Sequence, residues 1–229
     1  DLQRADASDV RRRPAGGRSR NDTLADGMVP RSFALAATLA LLAALHKMLY
    51  ASVLVNDDFM HRAYGLQLLA GEWPIRDFFD YGMVLMYVSS ALAQLVVGYR
   101  LLVEALVIGV MVAVSSYLVF ALVRRATDST AAATLPALMF LFAMPRGYGY
   151  PKLIVYAVAA LLWWGYVWKP APWRAVALGV WTAIAFYWRP DHGVYVAGGV
   201  TLAMIAAHGG TLTAVRECVR AGLVTFALV

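Results

Sequence analysis

Cysteine is almost absent: Cys218 stands alone. A single thiol excludes an intrachain disulfide and a cysteine-based zinc site. It says nothing about compartment. Charge is scarce too, at 15% of residues, where soluble domains carry about 25%. Acids are the rarer sign, 14 against 20 Lys and Arg. No internal repeat and no stretch resembling a soluble domain is visible along the chain.

Apolar residues take the place of charge, at 61% of the 229 residues. Several membrane-spanning helices would produce that shift. Apolar runs fall at residues 33–55, 81–97, 101–123, 131–144, 153–168, 175–188 and 194–207. The first would be about 35 Å long as a helix, enough to span a bilayer. A cleaved signal peptide competes over residues 33–45, but apolar sequence continues past His46 and Lys47. Run 101–123 is also long enough, whereas several others approach or fall below about 17 residues. Tyr148, Tyr150, Trp168, Trp173, Tyr187 and Trp188 could extend them as interfacial belts. Pro136 inside a run is tolerated in membrane helices.

Net charge is +6 and uneven, with Arg4, Arg11, Arg12, Arg13, Arg18 and Arg20 crowded at the start. Residues 1–31 read as a disordered, basic cytoplasmic tail. Nucleic acid is not expected as a partner, because no aromatic interleaving or binding motif accompanies the arginines. Residues 32–229 read as one transmembrane domain. The chain opens without Met and stops within an apolar run, so a truncated piece of a longer protein is expected, with Met28 as a candidate natural start.

Segment 81–97 decides the topology. If it spans, Arg124, Arg125, Lys169, Arg174, Arg216 and Arg220 all lie outside. If it lies in the interface, those residues join the basic tail inside, as the positive-inside rule favours. The second arrangement predicts spans near 33–55, 101–123, 130–147, 153–168, 173–188 and 193–208, with a seventh starting near 221. It also puts a first outer loop, about 56–100, on the same face as the turns 145–152 and 189–193. Gly82, Ser90, Gln94 and Gly98 form a polar stripe on 81–97 that suits a surface helix. In the loop, Phe59, Met60, Ala63, Tyr64, Leu66, Leu69 and Ala70 recur at helical spacing, while His61, Arg62, Gly65 and Gln67 take other faces. A second short surface helix, ended by Gly71 and Pro74, is expected there.

Three constellations could carry chemistry. Asn56-Asp57-Asp58 follows the first apolar run. Two carboxylates at a membrane surface could act as general base or metal ligands, or simply stop the helix sliding into lipid. No metal cluster is convincing, because two acids supply too few ligands. Arg76, Asp77 and Asp80 sit in an aromatic turn, where Arg76 could pair with either acid or with a phosphate. Arg189, Asp191 and His192 are wedged between apolar runs, and Pro145-Arg146-Gly147-Tyr148-Gly149-Tyr150-Pro151-Lys152 is a similar turn. Lys47 and Glu104 lie within apolar runs and could pair, or Lys47 could snorkel.

Asp57-Asp58, followed by Leu68-Leu69-Ala70-Gly71-Glu72-Trp73-Pro74-Ile75-Arg76-Asp77-Phe78-Phe79-Asp80, resembles the first outer loop of GT-C-fold glycosyltransferases. The likeness is nearest to the branch with mannosyltransferases, aminoarabinose transferases and rhizobial lipopolysaccharide glycosyltransferases. Arg189-Pro190-Asp191-His192-Gly193 resembles a later outer loop of bacterial members. The resemblance implies an all-α, polytopic transmembrane helical bundle with surface helices in the first outer loop. It implies inverting transfer of a sugar from a polyprenyl-phosphate donor to a glycan, lipid or protein acceptor, outside a bacterial plasma membrane. No cofactor is implied, and a metal requirement is left open. The family's leading acid maps onto Asp57, as general base, with Asp58 assisting. Arg189, Lys152 and Arg100 are then candidates to hold the departing phosphate, and Asp191, His192, Arg76, Asp77 and Asp80 to contact substrate. Two departures stand out: 82–86 lacks the family's Pro, and Tyr150-Pro151-Lys152 stands where many members carry a further acid. Asp191 could supply that acid. A transporter or flippase is the alternative reading, and a non-catalytic assembly subunit a third.

Overall fold

The computed structural model describes residues 30–49, 56–143 and 152–229. Those residues form nine α-helices and no strand. They are α1 (Pro30–Leu49), α2 (Asn56–Leu69), α3 (Val84–Val97), α4 (Leu102–Thr127), α5 (Thr130–Ala143), α6 (Lys152–Trp168), α7 (Pro172–Trp188), α8 (Pro190–His208) and α9 (Leu212–Leu228). Two segments, Arg31–Leu49 and Leu102–Thr127, are long and apolar enough to cross a membrane. A 17-residue helix such as α6 is about 26 Å long, short of a hydrocarbon core of about 30 Å.

The helices share a common polarity of ends. Residues 122–127 of α4, 160–167 of α6 and 199–206 of α8 line one apolar groove of about 560 Å³. The three helices therefore end together, and their first residues, Leu102, Lys152 and Pro190, lie at the opposite end. Antiparallel α1 starts beside the end of α4: Phe33 packs on Tyr117, and Met48 reaches Gly109. Arg31, Arg124 and Arg125 thus fall at one end, with Lys169 of the α6–α7 connection and Arg174 in the first turn of α7. Segment 82–101 belongs to the other end, because Gly82 packs on Pro190 and α3 leads directly into α4. Both termini of α3 lie at that end, so α3 lies across the bundled helices instead of running their length.

Large apolar side chains are widely exposed, and several polar ones are buried within an otherwise apolar core. Ser90, Gln94, Glu104, Ser115, Ser116 and Glu217 are buried between helices, while Leu92, Val96, Val110, Leu135 and Phe226 are exposed. In α3 this burial corrects the sequence reading. The polar stripe Ser90–Gln94 faces the protein, and Leu95 and Val96 point away. Gln94 donates to Ser90 Oγ at 3.0 Å, and Ser90 donates to Glu104, which offsets part of the cost of burial. In α2 the correction is partial. Met60 and Tyr64 of the expected apolar face pack on the core, joined by Leu68, but His61 is fully buried and Phe59 is half exposed.

Several expected loops are helix. Asn56-Asp57-Asp58 is the first turn of α2. Arg124 and Arg125 are in the last turn of α4, where the helix dipole favours cations, before the left-handed Asp128. Arg189 is the single extended residue between α7 and α8, and Pro190 opens α8. The basic loop and later span expected at 209–229 are one helix, α9. Glu217 explains the error: it is buried and accepts from Arg220 at 2.7 Å, with Arg216 3.5 Å away. Residues 1–29, 50–55 and 144–151, including most of the 145–152 turn, lie outside the described residues.

Small residues bring α7 against α9. An added Cβ at Gly179 would stand 2.5 Å from the Ala221 carbonyl oxygen, and Thr225 Oγ1 donates to the Gly179 carbonyl at 3.0 Å. Glycine to alanine normally gains about 1 kcal/mol inside a helix. At Gly179 the overlap reverses the sign, and a loss of about 1–3 kcal/mol is expected. Gly198, with open space around its Cβ position, is the control. Thermal unfolding in detergent should rank Gly179→Ala below wild type and Gly198→Ala at or above it.

Candidate functional site

The acidic pair occupies the amino end of α2, where exposed N–H groups and the helix dipole favour negative charge. The backbone of Asp57 and Asp58 is described; their side chains lie outside the described residues.

After α2 the chain turns on Gly71, whose φ of 86° is easy only for glycine. Asp77 then organises the loop. Its Oδ2 accepts from the Trp73 N–H and from Arg76 Nε, each at 2.8 Å. Arg76 also donates to the Gly71 carbonyl at 3.1 Å. The Arg76 hydrogen bond and the Trp73 amide hold the Asp77 carboxyl below its usual range. Arg76 and Asp77, read from sequence as substrate contacts, are therefore engaged in shaping their own turn. Asp80 likewise shapes the backbone, since its Oδ1 accepts from the Gly82 and Met83 amides at 2.8 and 3.2 Å, just before α3. Phe78 stacks on Tyr64 at 4.8 Å, and Tyr64 meets Tyr87 at 4.8 Å, which ties the loop to α2 and α3. Arg100 is exposed in the short connection before α4. Glu104 accepts a hydrogen bond from the Ser90 hydroxyl.

The second group forms where α6 meets the α7–α8 junction. Arg189 grips Asp191 with two hydrogen bonds, Nε to Oδ1 at 2.9 Å and Nη2 to Oδ2 at 2.8 Å. Such a fork fixes both side chains. Both Asp191 and His192 precede the apolar run of α8. Burial alone would raise the Asp191 carboxyl, but the Arg189 hydrogen bonds, the charges of His192 and Arg189 and the His192 backbone amide together hold it below its usual range. His192 is 3% exposed. Its Nδ1 shares a hydrogen bond with the Tyr156 hydroxyl at 2.9 Å, and its Nε2 is buried without a hydrogen-bond partner among the described residues. Burial lowers the His192 pKa, and the charges of Arg189 and Lys152 push the same way against Asp191. The ring is therefore neutral near pH 7, with one nitrogen left for another group.

The sequence analysis missed Tyr156. It follows Lys152 by one helical turn, so the two share a face of α6. Its histidine partner is 36 residues away and invisible to local pattern.

The chain two residues past the first resembling stretch packs on the second. An added Cβ at Gly82 would stand 2.9 Å from Pro190 Cγ. Segment 71–82 and the Arg189–His192 cluster thus share the end opposite the arginines of α4. Arg189 has a planar donor array and Lys152 a mobile ammonium, a pair suited to a phosphate. Among the described residues no group of three or more His, Cys, Asp or Glu is placed to hold a metal ion.

No protein-family model matches the chain, and no curated protein or solved structure matches it significantly. The fold itself defines the class: an all-helical protein with two helices long and apolar enough to cross a membrane.

Proposed function

We propose that the chain is a multi-pass membrane glycosyltransferase of GT-C type. It takes a sugar from a polyprenyl-phosphate donor and places it on an acceptor hydroxyl at the outer face. The basic tail and the ends bearing Arg124, Arg125 and Arg174 face the cytoplasm, as the positive-inside rule favours. A bacterial plasma membrane is the setting implied by the resemblance. Two helices long and apolar enough to cross a bilayer and many exposed large apolar side chains support the membrane part.

The observation that carries the reading is the Gly82–Pro190 contact. Two stretches more than a hundred residues apart each resemble an outer loop of one family, and the chain just after the first, at Gly82, packs on Pro190 of the second. The reaction gives each a role. Asp57 takes the proton from the acceptor hydroxyl. The acceptor oxygen bonds to the anomeric carbon from the face opposite the phosphate. The bond from that carbon to the phosphate oxygen breaks, and its electron pair leaves with the polyprenyl phosphate. Arg189 and Lys152 stabilise that departing charge.

Sugar and acceptor need not be known for the test. Mass spectrometry of cell-surface glycans, with and without the intact gene, should differ by the mass of a sugar residue. Identical glycans would refute transfer.

A further inference from the structure

The outer loop holds four large apolar side chains away from the protein. Trp73 is 58% exposed, Ile75 86%, Phe79 71% and Tyr81 56%. A mere connection between two helices would place polar residues there. The loop is also built to keep its shape. The Ile75 N–H donates to the Phe78 carbonyl at 2.9 Å, and the Asp77 N–H to the Trp73 carbonyl at 2.9 Å. Phe78 fastens the turn inward by stacking on Tyr64.

Ile75 sits at the tip with φ of 71°. A β-branched residue there is strained, and glycine or asparagine would relax it. Strain of this kind persists where the surroundings over-determine it, and it often marks a working surface. Here strain and hydrogen bonds together present an aliphatic side chain to whatever lies outside.

Lipid is the occupant that fits. Tryptophan and tyrosine prefer the headgroup boundary of a bilayer, and Trp73 and Tyr81 flank the aliphatic tip. The one basic group near the tip, Arg76, is tied to Asp77 and to the Gly71 carbonyl, which reduces the cost of bringing it toward lipid. The patch also continues into a helix. Gly82 packs on Pro190, and Val194 and Tyr195 in the next turn of α8 are 58% and 63% exposed.

We propose that segment 73–81 is a wedge that enters the outer leaflet of the bilayer, with Ile75 deepest and Trp73 and Tyr81 at headgroup level. The proposal rests on the membrane reading above. Its consequence is positional. Phe78 and Tyr64 link the wedge to α2, so its depth in lipid sets the height of the turn that carries Asp57.

The test is a nitroxide label at Ile75→Cys in a Cys218→Ser background, with the protein in phosphatidylglycerol–phosphatidylethanolamine vesicles. Collision with oxygen reports lipid, and collision with a water-soluble nickel chelate reports water. At position 75 oxygen should prevail several-fold, as at the reference Val110→Cys on α4. A label at Glu72→Cys should show the reverse, and a second wedge label, Phe79→Cys, should agree with 75. Water contact at 75 and 79, with 110 in lipid, would overturn the wedge and leave the membrane reading intact. Such a result would point to a protein or substrate occupant. Water contact at 110 as well would overturn both.

Discussion

Replacing Asp57 with alanine is expected to lower sugar transfer by about 10²–10⁴-fold, the usual contribution of a positioned general base. An acceptor hydroxyl is a poor nucleophile until its proton has somewhere to go, and Asp57 is in the first turn of α2, which opens the 56–100 loop. Asp57→Asn keeps the size and a hydrogen-bond acceptor but cannot take a proton, so it should lose nearly as much. Asp57→Glu should recover part of the rate. Asp58→Ala, which removes an assisting charge, should lose less. The variants should still fold. Met60, Tyr64 and Leu68 hold α2 to the core, and a charge lost at a helix amino end costs only about 0.3–1 kcal/mol. The readout is release of polyprenyl phosphate by protein reconstituted in vesicles, beside a thermal unfolding curve. An Asp57→Asn protein that turns over within a few-fold of wild type would remove Asp57 from the mechanism.

The helices were legible because apolar runs long enough to matter are hard to mistake. Their ends were not. Arg124 and Arg125 looked like a loop, yet a helix carboxyl end welcomes cations, so α4 continues through them to Thr127. Arg216 and Arg220 looked like another, yet Glu217 lies one position after the first and three before the second, and it neutralises both inside α9. Spacing also told which residues share a face without telling which way the face points. Ser90 and Gln94 share a side of α3, as expected, but they point at Glu104 and Arg62 and away from the surroundings. The candidate cluster was half readable for a related reason. Arg189, Asp191 and His192 are neighbours in sequence, so they could be named together. Tyr156 completes the group only because α6 packs against α8, and no local signal encodes that packing.

Arg189→Ala is expected to lower kcat/KM for the lipid-phosphate donor by about 10²–10³-fold, the typical loss when one group stabilising a developing anion is removed. Two effects act in the same direction. The cation proposed to face the leaving phosphate is gone, and the Asp191 carboxylate loses both its hydrogen bonds from Arg189. An uncompensated negative charge then stands beside an anionic substrate. That second effect gives the prediction its signature. Adding Asp191→Asn to Arg189→Ala should recover part of the donor affinity, because it removes the repulsion. Groups this close commonly couple by about 0.5–3 kcal/mol. Arg189→Lys should recover less than charge alone would suggest, since an ammonium cannot form the planar fork. A purely structural fork behaves differently: both single variants would lower thermal stability, and donor and acceptor KM would move together. Donor kcat/KM for Arg189→Ala within about threefold of wild type, far short of the effect above, would release Arg189 from the phosphate and leave the Arg189–Asp191 pair as a clasp between α7 and α8.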